Sequence, residues 1–395
     1  VKNKKINIVY YILTPVILVV FLAYNKVIST PQSVFIKRSQ NRLVTSKFDL
    51  KNTTSKKKSK ANEGMFGISS VKSASIKPQA KIEVYPGGQP IGIKLHTKGV
   101  LIVGFSDIDA SRGRVQSPAA NSGIQIGDSI VKVNEEAINT ADELGEKVNK
   151  DSTEKVKLTV ERKGKIIEKV ISKVKCKSDE NYKIGLWVRD STAGIGTLTF
   201  YSDKTKVFGA LGHPITDVDT GDIINISRGS LIDSSIVSVN KGIRGNPGEL
   251  RGIFINENKP IGIVKNNTIC GLFGKGYEKF EGLQYNKPME VAMRNEVKLG
   301  PAKILTTIDG SQPKMYAINI EKLFDQSSPN PKSMMIKVTD AELLDKTGGI
   351  VQGMSGSPII QNNKVVGAVT HVLINKPDTG YGVYIEWMLK SAGIL

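Results

Sequence analysis

Hydrophobic and polar positions follow three different patterns along this chain. Residues 6–24, INIVYYILTPVILVVFLAY, carry no charge. As a helix such a run rises roughly 28 Å, about the hydrocarbon thickness of a bilayer, so it predicts a membrane-spanning segment. Lys2, Lys4 and Lys5 precede it and place the short N-terminus on the cytoplasmic side, with Lys26 weakening the asymmetry. No small-residue cleavage pattern follows, which predicts a retained anchor (residues 1–27) rather than a removed signal. Residues 28–80 show no apolar period. The stretch KNTTSKKKSK at 51–60 is polar and basic, and it predicts a solvated tether open to proteolytic cutting and attractive to anionic lipid. From residue 81 onward, short alternating runs broken by Gly, Asn and Pro predict a mainly β body.

Within 81–174 the pattern predicts strands at 91–95, 99–105 and 129–133. A short helix follows Ser117 and Pro118 and ends at Gly123. A second helix at 141–149 carries Leu144 and Val148 four residues apart. A hairpin closes across Arg162, Lys163 and Gly164. The string SPAANSGIQIGDSIVKVNEEAI resembles the bacterial type of PDZ domain. That resemblance implies a loop presenting backbone N–H groups to a peptide that adds a strand to the sheet edge. Pro90, Ile91, Gly92 and Ile93 occupy the loop's place, although Pro90 has no N–H to give.

Residues 175–395 predict an all-β sandwich or barrel, with runs such as 196–201, 206–211, 234–239, 303–307, 315–320 and 334–338. Composition changes this picture little. Lys and Arg number 56 against 37 Asp and Glu, a net +19, but 1–82 hold 16 basic residues and two acids, so +14 of that charge sits in the N-terminal arm. Nucleic-acid binding would need a charged folded face and stacking aromatics; the arm offers Phe48 and Phe66 near its Lys run. Two Cys and three His exclude a disulfide framework and leave no Cys/His zinc cluster. One Cys176–Cys270 bridge stays open. No P-loop or H-E-x-x-H string occurs, and neither a cofactor nor a metal is expected.

Three features carry chemistry. In GMSGSPII, Ser355 sits between small residues on a tight turn where a substrate carbonyl can approach the backbone. The Gly353 and Ser355 N–H groups there can converge on an oxyanion. The strand, hairpin and strand that follow resemble trypsin-like peptidases after their nucleophile. His213, in LGHPITD, ends an apolar strand before Pro214 and is the candidate general base. His371 and Thr370 end the strand after the nucleophile hairpin; His371 reads as a pocket residue or a support for the base in preference to the base itself. An acid to orient the histidine could be Asp217, Asp219, Asp222 or Asp340. Asp340 also lies in a helix-capping context, TDAE.

The anchor, the tether, PGGQPIGIKLHTKGV, LGHPITD, GGIVQGMSGSPII and the ending GYGVYIEWM together resemble the SpoIVB peptidase family, serine endopeptidases of endospore-forming bacteria. The resemblance maps the family's catalytic residues onto His213, Asp340 and Ser355, and so chooses among the four acids. It implies a trypsin-like double β-barrel after the PDZ-like unit. It implies export across the inner forespore membrane, with activity in the space between forespore and mother cell. It further implies self-cleavage in the N-terminal region. Cleavage of a membrane-bound regulator of an intramembrane metalloprotease follows, and with it processing of pro-sigma K. The competing reading is an inactive, membrane-anchored PDZ scaffold; the presence of both His213 and Ser355 argues against it.

Overall fold

The computed structural model describes residues 36–37, 78–79, 81–150, 152–278, 280 and 287–395. The chain divides into Val1–Ile82 and Glu83–Leu395. In the first unit Ile36–Lys37 is paired in parallel with Pro78–Gln79. The expected anchor lies outside the described residues, and so does the expected tether apart from those two pairs. Among the described residues no helix is long and apolar enough to cross a membrane.

The second unit begins with β1 (Glu83–Pro86) and β2 (Pro90–Phe105). Then come α1 (Pro118–Asn121), β3 (Ser129–Val133), α2 (Ala141–Asn149), β4 (Lys155–Arg162) and β5 (Lys165–Ser172). The predicted cap of the short helix forms, Ser117 Oγ accepting from Ala120 N, and Thr140 Oγ1 caps the second helix by accepting from Glu143 N. β6 (Leu186–Ser202), β7 (Val207–Ala210), β8 (Ile226–Asn240), β9 (Glu249–Ile255), β10 (Gly262–Thr268) and β11 (Gly271–Gly276) follow. The antiparallel pairings β2–β8, β8–β10, β10–β11, β11–β7, β7–β6 and β6–β2 close a ring. A second closed barrel follows, of β12 (Gly300–Thr306), β13 (Lys314–Leu323), β14 (Met334–Val338), β15 (Pro358–Gln361), β16 (Lys364–Leu373) and β17 (Lys376–Tyr384). α3 (Ala341–Thr347) lies between β14 and β15 in sequence, and α4 (Ile385–Ser391) follows β17.

β2 explains how the two cores share one chain segment. Ile91, Ile93 and Leu95 are at most 3% exposed and fill the first barrel with Leu198, Phe208 and Leu231. Val100 and Ile102 are buried instead in the core built by β3, α2 and β4. Side chains alternate faces along a strand, so a step from odd to even positions requires an irregularity. It falls at Gly99, with φ +74°, where a Cβ would collide with the Ile130 carbonyl oxygen. The β2–β6 register also slips here, between Arg189 and Ser191.

One expectation is thereby corrected. Pro90, Ile91, Gly92 and Ile93 do not form a peptide-binding loop. Pro90 pairs with Thr197, while Ile91, Gly92 and Ile93 pair with β6 on one side and β8 on the other, leaving no edge for a ligand strand. Burying Ile91, Ile93 and Leu95 stabilises the barrel by about 1.5–3 kcal/mol each, which a solvent-facing loop would forgo. β1 and the first half of β2, within the PDZ-like stretch, also ladder with strands after 175. Cys176 and Cys270 are both free and buried, so the open bridge does not form.

Candidate active site

The Ser355 turn is held from both barrels. Thr197 Oγ1 donates to the Gly353 carbonyl (2.7 Å) and Thr197 N to the Ser355 carbonyl (3.0 Å). Thr199 Oγ1 donates to the Gly356 carbonyl (2.8 Å), and Gly356 N donates to Val369 of β16 (2.8 Å). Ser357 Oγ donates to the Met354 carbonyl (2.7 Å) and completes the turn. Gly356 has φ +98°, and a Cβ there would overlap the Thr197 carbonyl and the Leu211 nitrogen; only glycine fits. Neither Gly353 N–H nor Ser355 N–H donates to any described residue, so both remain able to receive an anion. The Ser355 hydroxyl donates to the Thr370 carbonyl at 2.9 Å.

His213 arrives from β7 by a different device. Gly212 N donates to Ala210 O (2.8 Å), making a γ-turn centred on Leu211, a branched residue at φ +66°. This is a strained backbone geometry, and it turns the chain off the strand. His213 Nδ1 lies 2.7 Å from the Pro214 carbonyl. A carbonyl only accepts, so Nδ1 carries the proton and Nε2 is the nitrogen with a free lone pair in the neutral ring. Burial pushes the His213 pKa below its ordinary 6.5, against the opposing pull of the Pro214 carbonyl. Beyond it, Asn267 clamps Ile215 through both N–H and C=O. Asp217 pairs with Arg189 of β6 and accepts from Asp219 N and Thr220 N. Burial opposes Asp217 ionisation, but the Thr220 and Asp219 N–H groups and Arg189 outweigh it and hold the carboxyl below its usual value.

Ser355, Gly353, His213, Thr370 and His371 line one cavity of about 640 Å³. Its other wall includes Thr192, Ala193, Gly194 and Ile195 of β6. His371 stacks obliquely on His213, ring centroids 5.0 Å apart. Its Nδ1 is buried with no partner among the described residues. Burial, then the charges of His213 and Lys332, push its pKa down to about 4.

Asp340 is not on the cavity wall. Its Oδ1 accepts from Leu343 N (3.2 Å) and its Oδ2 from Ala317 N (3.1 Å), so it is the N-cap of α3. It stands roughly 12 Å along that helix from Gly348, eight steps at about 1.5 Å each. Asp340 thus spends both carboxylate oxygens on Leu343 and Ala317, and the Pro214 carbonyl occupies the partner position on His213 Nδ1. Asp217 and Asp219 turn toward Arg189 instead. Sequence reasoning also passed over Thr197, Leu211 and Arg189. The short polar-small run of 192–196 between two apolar stretches was a signal for the second cavity wall.

A nucleophile-type serine on a glycine turn, a half-buried histidine whose Nδ1 faces a carbonyl and a cleft lined from two β barrels, with a PDZ-type core beside them, define the class: a PDZ-containing serine peptidase. The sequence profile of the SpoIVB peptidase S55 family matches residues 180–389, more than half of the chain, and the chain belongs to that family. A PDZ-domain profile matches residues 91–171. Comparison with curated proteins gave no match. Similar solved structures include the Rv3671c protease in its inactive form, at 16% identity and TM-score 0.30, covering 50% of this chain and 84% of that one. The active form from M. tuberculosis follows at 15%, 0.28, 51% and 75%. Likeness at that level says nothing by itself about the site.

Proposed function

We propose that this chain is a membrane-anchored signalling endopeptidase of sporulation, with Ser355 as nucleophile and His213 as general base. The observation that carries the chemistry is the shared cavity, where Ser355, His213 and two uncommitted N–H groups meet. Two six-stranded rings flanking that cavity support a trypsin-like double-barrel reading. In this mechanism the Ser355 hydroxyl leaves Thr370 by rotation about χ1 and presents its proton to His213 Nε2. Ser355 Oγ bonds to the peptide carbonyl carbon, and the proton moves to His213. The Gly353 and Ser355 N–H groups hold the resulting oxyanion. His213 then protonates the leaving amine as the C–N bond breaks. Water, activated by the same ring, hydrolyses the acyl-enzyme and returns the proton to Ser355. The Pro214 carbonyl holds the imidazole tautomer throughout. Asp340 enters as the cap of α3, and its acid role, which the family pattern favours, is left to substitution.

The uncharged run 6–24 and the basic stretch 51–60 support anchoring and self-cleavage within 28–80. The family resemblance supports a membrane-bound regulator of an intramembrane metalloprotease as the protein substrate, and pro-sigma K processing as the output. Intact mass of the full chain, wild type beside Ser355→Ala, tests the self-cleavage. Wild type should shorten within 28–80 while the variant stays whole; equal shortening of both would assign the cut to a host protease.

A further inference from the structure

The walls of the Ser355 cavity carry no carboxylate, ammonium or guanidinium group. Although 24% of the chain is Asp, Glu, Lys or Arg, none of these lines the cavity, whereas Ile195, Leu211, Ile215 and Ile350 do. Two further lining residues are apolar side chains left in water: Val218 is 84% exposed and Ile374 is 54% exposed. A single exposed apolar side chain is ordinary. These two share one cavity and come one from each barrel. Val218 belongs to the loop between β7 and β8. There Gly221 N donates to the Asp217 carbonyl (2.8 Å), and Asp217 N donates to the Asp222 carbonyl (2.9 Å). Asp217 and Asp219, on either side of Val218, each take one nitrogen of the Arg189 guanidinium, Asp219 at 2.8 Å. The loop thus commits two carboxylates to Arg189, while the residue between them lines the cavity. Ile374 sits in the two-residue turn that joins β16 to β17, where Leu373 pairs with Lys376. Its carbonyl accepts from Gly245 N at 2.9 Å. Both backbones are therefore pinned while both side chains stay uncovered.

We propose that Val218 and Ile374 are specificity-determining residues that flank an uncharged, apolar side chain of the substrate, of the leucine, methionine or phenylalanine kind, seated in the Ser355 cavity. This rests on the peptidase reading above and names the substrate class for that site. Charge decides the class. A lysine or glutamate side chain entering the cavity would give up water and meet no opposite charge on its walls, a cost an apolar side chain does not carry. Burial lowers both His213 and His371 below 6.5, so neither ring supplies a charge at neutral pH. An apolar side chain gains instead, because covering Val218 and Ile374 removes apolar surface from water on both partners. The pinned backbones leave little loop ordering to be done on binding. Size agrees: a cavity of about 640 Å³ admits a large side chain.

The test uses the full chain carrying Ser355→Ala and a library of random short peptides. Binders are counter-selected against the same chain carrying Val218→Asp and Ile374→Asp as well, which removes ligands of other surfaces. The surviving peptides should share one position restricted to apolar residues. Replacing that residue by Lys or Glu should weaken binding about tenfold or more. Val218→Ala and Ile374→Ala should each weaken it about threefold to tenfold. The melting temperature of each should stay that of the parent, because both side chains are exposed. No peptide surviving the counter-selection, survivors with a charged residue at the shared position, or alanine variants that bind like the parent would overturn the proposal. Cleavage of the survivors by wild type, and fluorophosphonate labelling of Ser355, are scored separately. Apolar survivors that wild type never cuts, with Ser355 unlabelled, would sink the peptidase reading and leave the apolar site standing. Cleavage of random peptides with no apolar preference at any position would do the reverse.

Discussion

The two sides of the cleft are built to different standards. The Ser355 turn is fixed by main-chain and hydroxyl contacts from Thr197 and Thr199 on one barrel and Val369 on the other. Its Gly356 admits no side chain. The His213 segment leaves β7 through a strained turn at Leu211 and is steadied by side chains, Asn267 and Arg189. Arg189 belongs to the part of β6 that borders the PDZ-type core. The difference teaches that the nucleophile is set by the meeting of the barrels, whereas the base is steadied by side chains and tied to a strand that also borders the PDZ-type core.

The largest expected effect is on the fixed side. Ser355→Ala should lower kcat by on the order of 10⁵–10⁶ with the melting temperature unchanged, as measured by peptide cleavage and calorimetry. Asp340→Asn comes next and sharpens the comparison. If Asp340 only caps α3, the variant loses one acceptor, costs about 1 kcal/mol and keeps its kcat. An orienting acid would instead show a fall of roughly 10⁴. Gly356→Ala should destabilise by more than about 2 kcal/mol in urea unfolding, because its Cβ meets the Thr197 carbonyl. Wild-type stability in that variant would break the account of the fixed turn.

Smaller effects belong to the His213 side. Arg189→Ala leaves Asp217, 1% exposed at the side chain, with its two N–H partners only. It should cost about 1–3 kcal/mol and lower kcat/KM more than a matched change far from the loop, while Arg189→Lys restores part of both. The smallest effect is in pH. His213 and His371 hold protons less readily folded than unfolded. Their contribution to stability is therefore present above the unfolded value near 6.5 and lost as pH falls below it, for His371 down to about 4. His371→Gln should flatten the acid arm of a plot of melting temperature against pH. The acid limb of kcat/KM should inflect below 6.5 in wild type, and an inflection above it would contradict a His213 whose pKa is lowered by desolvation.

Much of the site was legible because its signals are local. Ser355, Gly353 and His213 sit in short strings whose glycines and prolines dictate turns at strand ends, and the structure places all three on one cavity. The short helices were legible from their caps, although the cap of α3 proved to be Asp340 itself. What the string 90–96 would pair with was not legible. Alternation of Ile91, Ile93 and Leu95 around Gly92 suits a peptide-binding loop and a barrel strand equally, and the choice lies in pairings with β6 and β8 more than 90 residues away. The face switch at Gly99 and the double membership of β6 are likewise tertiary facts. Asp340 shows the same limit in reverse: the sequence supports a cap and an acid at one position, and the hydrogen bonds to Leu343 and Ala317 display the cap.

The most direct measurement is labelling of the full chain with a fluorophosphonate, read by peptide mass, in wild type and His213→Ala. The account predicts a single adduct on Ser355 in wild type and its loss when His213 is replaced. No adduct on Ser355, or one that forms equally well without His213, would contradict the claim that these two residues form the catalytic pair.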